Sequence, residues 1–296
     1  MAPAETSGAS GFRLTAPAKL NLYLHVTGRR DDGYYRLDSL IVFTALGDVL
    51  EVAPAEDLSL AITGRFAAAL GDANDNLVMR AARLLSLEAG LPAHRGAAIR
   101  LVKRLPVAAG LGGGSADAAA ALHGLCALWN VSLGDDDLAR MAISLGADVP
   151  VCLSPRPAFV GGIGESLEPA PALPALHVAL VNPGVSLSTA SVFANLEIKP
   201  TERHGRFAEA PRDAAALAGL LASRANDLDP PARQLCPAVV DVLSAIGRQA
   251  DCLLARMSGS GATCFGLFPS AGAASRAAAG LRAAHAGWWV AAGSTL

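Results

Sequence analysis

Hydrophobic and polar positions alternate with a period of two near the start of the chain. Apolar residues occupy every second position from Leu20 to Val26, and Lys19 and Asn21 lie between them on the other face. Successive side chains of a strand point to opposite faces, so this pattern predicts a half-buried strand. Further apolar runs predict a first third made mainly of strands, at residues 40–43, 49–52 and 58–62.

Helical spacing follows further along the chain. A segment from Leu77 to near Gly90 has apolar residues on one helical face, and three N-cap side chains precede it, Asn74, Asp75 and Asn76. A strand is predicted at residues 99–105, and apolar spacing then predicts a helix that begins close to Ser115. A glycine-rich loop therefore lies between a strand and a helix.

The second half of the chain mixes strands and helices. A helix with three aspartates, residues 135–137, in its capping region is expected to stop at Gly146. The Pro- and Gly-rich stretch at residues 154–174 indicates a boundary between a domain at 1–160 and one at 161–296. Strands at 177–181, 252–257 and 263–268 and a helix at 275–286 make the second domain α+β.

Composition narrows the class of protein. The chain has 296 residues and is 52% hydrophobic, so it can bury a full core. Its five cysteines have no metal-ligand spacing, and its net charge of −2 with no basic cluster argues against a nucleic-acid partner. The N-terminus lacks a signal peptide and no apolar run could span a bilayer, so we expect a cytoplasmic protein without a membrane partner.

The glycine-rich loop is the main candidate for chemistry. Three glycines between a strand and a helix let backbone N–H groups converge on an anion, and we expect a side chain at Gly113 to obstruct the phosphate path. The loop matches neither the Walker A pattern nor the dinucleotide fingerprint. A tight structural turn is the alternative. The loop consists of Pro106, Val107, Ala108, Ala109, Gly110, Leu111, Gly112, Gly113, Gly114, Ser115 and Ala116.

Three other features are ambiguous by themselves. The small-residue loop at 258–262 could present backbone N–H groups or could be a hairpin turn. Asp148 lies between apolar residues after a helix end, where it could face a cleft, cap a helix or form a structural salt bridge. Lys19 could be catalytic or lie on a solvated face.

Together these motifs resemble those of the GHMP small-molecule kinases, which include galactokinase, homoserine kinase and mevalonate kinase. The resemblance covers about residues 12–270 and rests on the segments 17–22, 28–35, 110–115, 146–150 and 257–263. It implies an α+β fold with an N-terminal domain like ribosomal protein S5 domain 2, a ferredoxin-like C-terminal α/β sandwich, and an active site in the cleft between them.

The resemblance also implies a reaction. The most similar branch of the superfamily transfers the γ-phosphate of ATP to the 2-hydroxyl of cytidine diphosphate-methylerythritol on the non-mevalonate route to isoprenoid precursors. Asp148 is expected to take or orient the hydroxyl proton and to pair with Lys19. Mg²⁺ is expected with ATP, and the Ser115 hydroxyl is a candidate for phosphate or metal. The enzyme is expected to be a monomer or a weak homodimer.

Further positions follow from the same resemblance. Asn76 and Lys103 are candidates for the nucleotide side. The candidates for substrate binding are Asn21, Tyr34, Tyr35 and Pro183. Where the family pattern has Gly-Tyr-His, this sequence has Tyr35 in place of the histidine, and Ala116 replaces a frequent second serine. Two alternatives therefore stay open, a GHMP kinase for a different alcohol and a non-catalytic binding protein of the same fold.

Overall fold

The computed structural model describes residues 5–7, 11–71, 75–92, 94–197 and 205–296. The chain divides into two units, and neither is continuous in sequence. Unit 1 comprises the described residues of Met1–Ala18, Gly47–Val107 and Gly112–Pro155, and unit 2 comprises those of Lys19–Leu46, Ala108–Leu111 and Arg156–Leu296. The assignment of residues 1–160 and 161–296 to two family domains stays a prediction.

Unit 1 contains a sheet and helices. Its strands lie in the order β1-β2-β3-β5-β4, where β5 is antiparallel to β3 and parallel to β4. The long strands β2 and β3 have residues in both units. The strands are β1 (Glu5–Ser7), β2 (Gly11–Arg29), β3 (Tyr35–Ala55), β4 (Leu58–Thr63) and β5 (Gly96–Val102). The helices are α1 (Leu77–Glu88), α2 (Gly113–Trp129), α3 (Asp135–Leu145) and α4 (Val149–Leu153), with a 3₁₀ turn at Ala67–Ala69.

Helix α2 is buried along much of its surface because most of its residues are small. Residues 116–122 are all buried, and all but Asp117 and Leu122 are alanines. Small side chains allow neighbouring helices to approach closely, and α1 packs along α2. The helix begins at Gly113, two residues before the predicted start near Ser115.

Unit 2 contains an antiparallel four-stranded sheet in the order β11-β8-β10-β9. Its hydrophobic core lies between this sheet and α-helices, and includes Val181, Val242 and Phe268. A second group of strands pairs β6 with residues 37–41 of β3, and β7 with β6. The remaining strands are β6 (Ala158–Gly162), β7 (Ser166–Pro169), β8 (His177–Asn182), β9 (Leu254–Met257), β10 (Cys264–Phe268) and β11 (Trp289–Ser294). The remaining helices are α5 (Thr189–Ala194), α6 (Ala214–Ala222), α7 (Asp229–Leu235), α8 (Ala238–Gly247) and α9 (Ala271–Ala284).

Two strand predictions were wrong in extent. The runs at 40–43 and 49–52 belong to one strand, β3, which continues through residues 44–48, and Gly47 lets this part of the strand lie close to the Ala16 backbone. The strand predicted at 99–105 ends at Val102, because the main chain after it turns to donate hydrogen bonds to Asp48. Strand β2 is buried on both faces over residues 16–26, so the half-buried prediction was also wrong.

The helix ends follow their local chemistry. Asn76 caps α1, since its Oδ1 accepts a hydrogen bond from the Val78 N–H at 2.9 Å. Asn74, which was also predicted as a cap, lies outside the described residues. Helix α3 starts after Gly134, and its three aspartates lie in the first turn. Their negative charges interact favourably with the positive end of the helix dipole.

Candidate active site

The glycine-rich loop turns sharply before it enters α2. Ala108, Gly110 and Gly112 have φ angles of 50°, 73° and 62°, so every second residue is in the left-handed region. Residues of alternating handedness bring successive N–H groups to one side of the chain, which is a common way to bind an anion. The local backbone therefore fits a phosphate.

Helix α2 presents its first N–H groups at the end of this loop. The first hydrogen bond of the helix runs from the Ala116 N–H to the Gly112 carbonyl at 2.9 Å. The N–H groups of Gly113, Gly114 and Ser115 precede that bond and lie at the positive end of the helix dipole. Phosphate groups bind at such positions through both effects.

The sequence predicts that a side chain at Gly113 would obstruct the phosphate path, but the structure shows other neighbours for it. A Cβ atom at Gly113 would lie 3.1 Å from Lys103 Nζ and 3.5 Å from Asp48 Oδ2. It would therefore point into a buried group of charged side chains of unit 1, and Lys103 Nζ would have to shift by a few tenths of an ångström to admit it.

That group, the Asp48–Lys103–Asp117 cluster, is enclosed. Lys103 Nζ lies 2.5 Å from Asp48 Oδ2 and 2.7 Å from Asp117 Oδ2, and none of the three side chains is more than 4% exposed. Asp48 Oδ1 also accepts hydrogen bonds from the N–H groups of Arg104 and Leu105. Lys103 was predicted on the nucleotide side, and its ammonium is held by two carboxylates. Asn76, predicted there too, uses its side-chain oxygen as a helix cap.

Burial and charge shift the protonation of this cluster. Burial raises the pKa of Asp117 from 3.8 to about 7, Lys103 opposes that shift, and the neighbouring Asp48 carboxylate adds to it. Burial alone would lower the pKa of Lys103, but Asp117 and Asp48 raise it above its usual value. One ammonium group cannot neutralise two carboxylates, so the remaining negative charge makes it favourable for the cluster to bind an additional proton.

In unit 2, Lys19 and Asn21 lie next to each other on β2 with main-chain links to both glycine loops. The Lys19 N–H donates to the Leu111 carbonyl at 2.8 Å, and the Asn21 N–H donates to Ser258 Oγ at 3.2 Å. Both side chains are buried. Asn21 Nδ2 donates to Ser39 Oγ at 2.8 Å, whereas Asn21 Oδ1 is buried and accepts no hydrogen bond from the part of the chain that the structure describes.

The loop at 258–262 joins β9 to β10 and also packs against the first glycine loop. Ser258 Oγ donates to the Gly110 carbonyl at 2.9 Å, and the Thr263 N–H donates to the Ala109 carbonyl at 3.2 Å. Asn226 stabilises the loop, because its Nδ2 donates hydrogen bonds to the Met257 and Gly259 carbonyls. The loop is therefore both a hairpin connection and a support for residues 108–111. Sequence reasoning had not assigned Asn226 this contact.

Asp148 lies where α4 begins. It takes the N-cap position, but its side chain makes no capping hydrogen bond with that helix, so the capping alternative does not apply. The residue is half-buried, and Pro150 lies in the first turn of α4. Helix α3 ends just before it, at Leu145.

The predicted substrate residues have different surroundings within unit 2. Tyr34 is 62% exposed. The Tyr35 ring stacks on Phe193 with centroids 5.1 Å apart, and its hydroxyl donates to the Phe193 carbonyl at 3.2 Å. The Arg29 guanidinium lies 5.3 Å from the centre of the Tyr35 ring. Pro183 follows Asn182, whose Oδ1 accepts from the Gly184 N–H. The role of Phe193 was missed, because a lone phenylalanine in a short helix gives no sequence signal.

The described residues contain neither a candidate metal cluster nor a candidate membrane-spanning helix. No group of three or more His, Cys, Asp or Glu side chains there could hold a metal ion. No helix in the same part of the chain is both long enough and apolar enough to cross a membrane.

Comparisons with known proteins identify the family of the chain. Residues 76–156 match the family described as GHMP kinases N terminal domain, and residues 206–287 match GHMP kinases C terminal. A homoserine kinase structure from Cytophaga hutchinsonii has a TM-score of 0.70 at 19% identity, covering 99% of this chain and 97% of that one, and shows the fold alone. The α+β fold with the two GHMP kinase domains is confirmed, and so is the class of enzyme, a phosphotransferase of an ATP-dependent kinase family.

More similar relatives narrow the assignment. The 4-diphosphocytidyl-2-C-methyl-D-erythritol kinase of Paramagnetospirillum magneticum is 55% identical over 282 residues, which cover 95% of this chain and 98% of that protein. The protein of the same name from Parvibaculum lavamentivorans is 51% identical, over 93% and 95%. A crystal structure of 4-(cytidine 5'-diphospho)-2C-methyl-D-erythritol kinase has a TM-score of 0.78 at 35% identity, over 96% of this chain and 98% of that chain. The chain belongs to this family of the GHMP kinases.

Proposed function

We propose that this enzyme transfers the γ-phosphoryl group of ATP to the 2-hydroxyl of 4-diphosphocytidyl-2-C-methyl-D-erythritol, a step of the non-mevalonate route to isoprenoid precursors. The observation that carries the proposal is the 55% identity with a kinase of that name across nearly the whole of both chains. Amides that converge at the start of α2 support it, because phosphoryl transfer depends mainly on positioning and on stabilising charge.

The phosphates of ATP bind the N–H groups of the loop at 106–116, above all those of Gly113, Gly114 and Ser115. These donors are fixed before the reaction and do not need to reorganise as charge develops on the transferring group. Mg²⁺ usually takes few protein ligands and several phosphate oxygens, which fits a site where the Ser115 hydroxyl is the candidate protein ligand. When bound, Mg²⁺ neutralises charge on the phosphates.

Asp148 and Lys19 have different tasks. The half-buried Asp148 carboxylate, at the start of α4, accepts or orients the proton of the acceptor hydroxyl. The Lys19 ammonium supplies a positive charge for the transferring phosphoryl group. Asn21 and Tyr34 contact the cytidine end of the acceptor, by hydrogen bonding and by ring stacking respectively.

The first test of the reaction separates chemistry from nucleotide binding. We expect Asp148→Asn to lower kcat by at least about a hundredfold while the affinity for an unreactive ATP analogue changes by less than about threefold. Asp136→Asn is a matched control, because Asp136 is an exposed acid on the preceding helix α3. Near-normal turnover of Asp148→Asn contradicts the proposed role.

A second candidate, a GHMP kinase for a different alcohol, is favoured only by Tyr35 in place of the family histidine. ATP consumption with the diphosphocytidyl substrate, compared with a panel of other alcohols at equal concentration, distinguishes the two. A higher kcat/KM for another alcohol contradicts the proposed substrate. The predicted cytoplasmic location and the monomer or weak homodimer also stay proposals, which cell fractionation and light scattering test.

A further inference from the structure

The Asp48–Lys103–Asp117 cluster has no part in the reaction proposed above, yet it lies directly beside the phosphate-binding turn. Asp48 is on β3, Lys103 follows β5, and Asp117 is on α2. Three separate segments of unit 1 thus meet at one ammonium group.

The cluster fixes main chain as well as side chains. Asp48 Oδ2 and Asp117 Oδ2 both accept from Lys103 Nζ, while Asp48 Oδ1 accepts from the N–H groups of Arg104 and Leu105. Hydrogen bonds between ionised groups are short and directional. The turn after β5 and the second turn of α2 are therefore held at a set separation.

Gly113 lies on this cluster. The position of its missing Cβ is 3.1 Å from Lys103 Nζ and 3.5 Å from Asp48 Oδ2. A Cβ at residue 113 would be in tight contact with the ammonium, so glycine lets the first turn of α2 and the cluster lie close together. The ammonium therefore lies beside the first turn of the helix and is bonded to its second turn through Asp117.

We propose that Asp48, Lys103 and Asp117 are positioning residues, which hold the amides of residues 113–115 in the arrangement that receives the phosphates of ATP. This inference rests on the proposed binding of ATP at that turn. Lys103 then acts on the nucleotide through the backbone of α2 and not by direct contact.

Stability alone is a weak reason for such a cluster. Buried ion pairs often stabilise a protein no more than apolar residues of the same size, because desolvation offsets the attraction. What the cluster provides is a directional arrangement of three segments. If it were lost, the amides would have to be ordered when ATP binds, and that ordering weakens affinity.

Replacement of Asp117 tests the inference. Asp117→Leu removes the link to α2 and leaves the neutral Lys103–Asp48 pair, so we expect it to fold. We expect the KM for ATP to rise about tenfold, the KM for the acceptor to stay within about twofold, and kcat per folded molecule to change less than about threefold. Amides that bind the phosphate equally in the ground and transition states affect KM rather than kcat.

The matched control is a variant that breaks a different charged pair between β3 and β5, outside the cluster. Glu51→Gln on β3 removes the partner of Arg100 on β5, and both side chains are partly exposed. We expect both KM values of this variant to stay within about twofold of the wild type. Asp117→Asn keeps an oxygen acceptor for Lys103 and should raise the KM for ATP only about threefold, between the other two variants.

The outcomes are distinct. A KM for ATP in Asp117→Leu equal to that of Glu51→Gln overturns the inference, and so does an equal rise of KM for both substrates, which indicates general disruption. If Asp117→Leu does not fold, an unchanged KM for ATP in Asp117→Asn overturns it.

Titration of the wild type with an unreactive ATP analogue separates the two proposals. A wild type that does not bind the analogue contradicts the proposed function, whereas equal binding by all variants contradicts this inference alone.

Discussion

Asn21 has a buried side-chain oxygen that accepts no hydrogen bond from the described residues, although its amide nitrogen is bound to Ser39. A buried acceptor without a donor costs about 1–3 kcal/mol. A ligand that supplies a donor would recover that free energy, which agrees with the proposed contact between Asn21 and the acceptor substrate.

We expect Asn21→Leu to raise the KM for the diphosphocytidyl substrate about tenfold and to change the melting temperature little, because removal of the unsatisfied oxygen offsets loss of the hydrogen bond to Ser39 Oγ. Steady-state kinetics and thermal unfolding measure the two effects. Ser39→Ala is the control, since it removes the partner of the amide nitrogen and keeps the Oδ1 acceptor. An unchanged KM in Asn21→Leu would refute the contact.

Tyr35 also has a role that depends on its neighbours. Its hydroxyl donates to a main-chain carbonyl of α5 and its ring stacks on Phe193, so it supports that short helix. The replacement of the family histidine by tyrosine therefore affects the ring as well as the hydrogen-bonding group.

Removal of the ring is expected to matter more than removal of the hydroxyl. We expect Tyr35→Leu to raise the KM for the diphosphocytidyl substrate about tenfold, and Tyr35→Phe, which keeps the stack, to raise it at most about threefold. Initial-rate kinetics at saturating ATP measure both. An equal rise of this KM in both variants would show that the hydroxyl, and not the ring, contributes to substrate recognition.

At the scale of elements, residues 108–111 of the glycine-rich loop depend on close contact with the loop at 258–262, which belongs to the same unit. A Cβ at Gly110 would overlap the Ser258 carbonyl and lie 2.8 Å from the Gly261 nitrogen, and the φ angle of Gly110 is positive. Both backbone strain and overlap therefore act against a side chain at this position.

Gly110→Ala is expected to lower the free energy of unfolding by about 2–4 kcal/mol. Gly114→Ala is the matched comparison, because a Cβ there meets only Leu77 Cδ1 at 3.5 Å and alanine is a better helix former. It should change stability by less than about 1 kcal/mol. Denaturant unfolding measures both, and similar losses would contradict the assignment of the close contact to Gly110.

The sequence predicted many of these elements because their signals are local. Period-two patterns, N-cap side chains and glycine stops depend on neighbouring residues, and β2, α1 and α3 were recognised from them. The cluster around Lys103 was missed because its three members are separated along the chain. An aspartate inside the alanine run of α2 was the available signal, since a buried carboxylate needs a partner.

At the scale of the whole molecule, the same cluster links stability to pH. The pKa of Asp117 is raised from 3.8 to about 7 in the folded protein, mainly by burial. Between these values the folded state holds a proton that the unfolded state has lost. The stabilisation is therefore complete below about pH 4 and is lost as the pH rises through about 7.

We expect the stability of the wild type, compared with Asp117→Asn, to fall as the pH is raised from about 4 to about 7, by at most about 1.4 kcal/mol for each pH unit. Thermal unfolding of both proteins across this range measures the difference. A difference that does not change with pH would mean that Asp117 is already ionised at low pH.

The contact between Ser258 Oγ and the Gly110 carbonyl joins residues 148 positions apart. During synthesis Gly110 therefore leaves the ribosome well before its partner exists. At typical rates of about 5–20 residues per second, that interval is about 7–30 s. Over this time the segment at 108–111 has no second loop to pack against, so this contact forms late, when most of the C-terminal half has been translated.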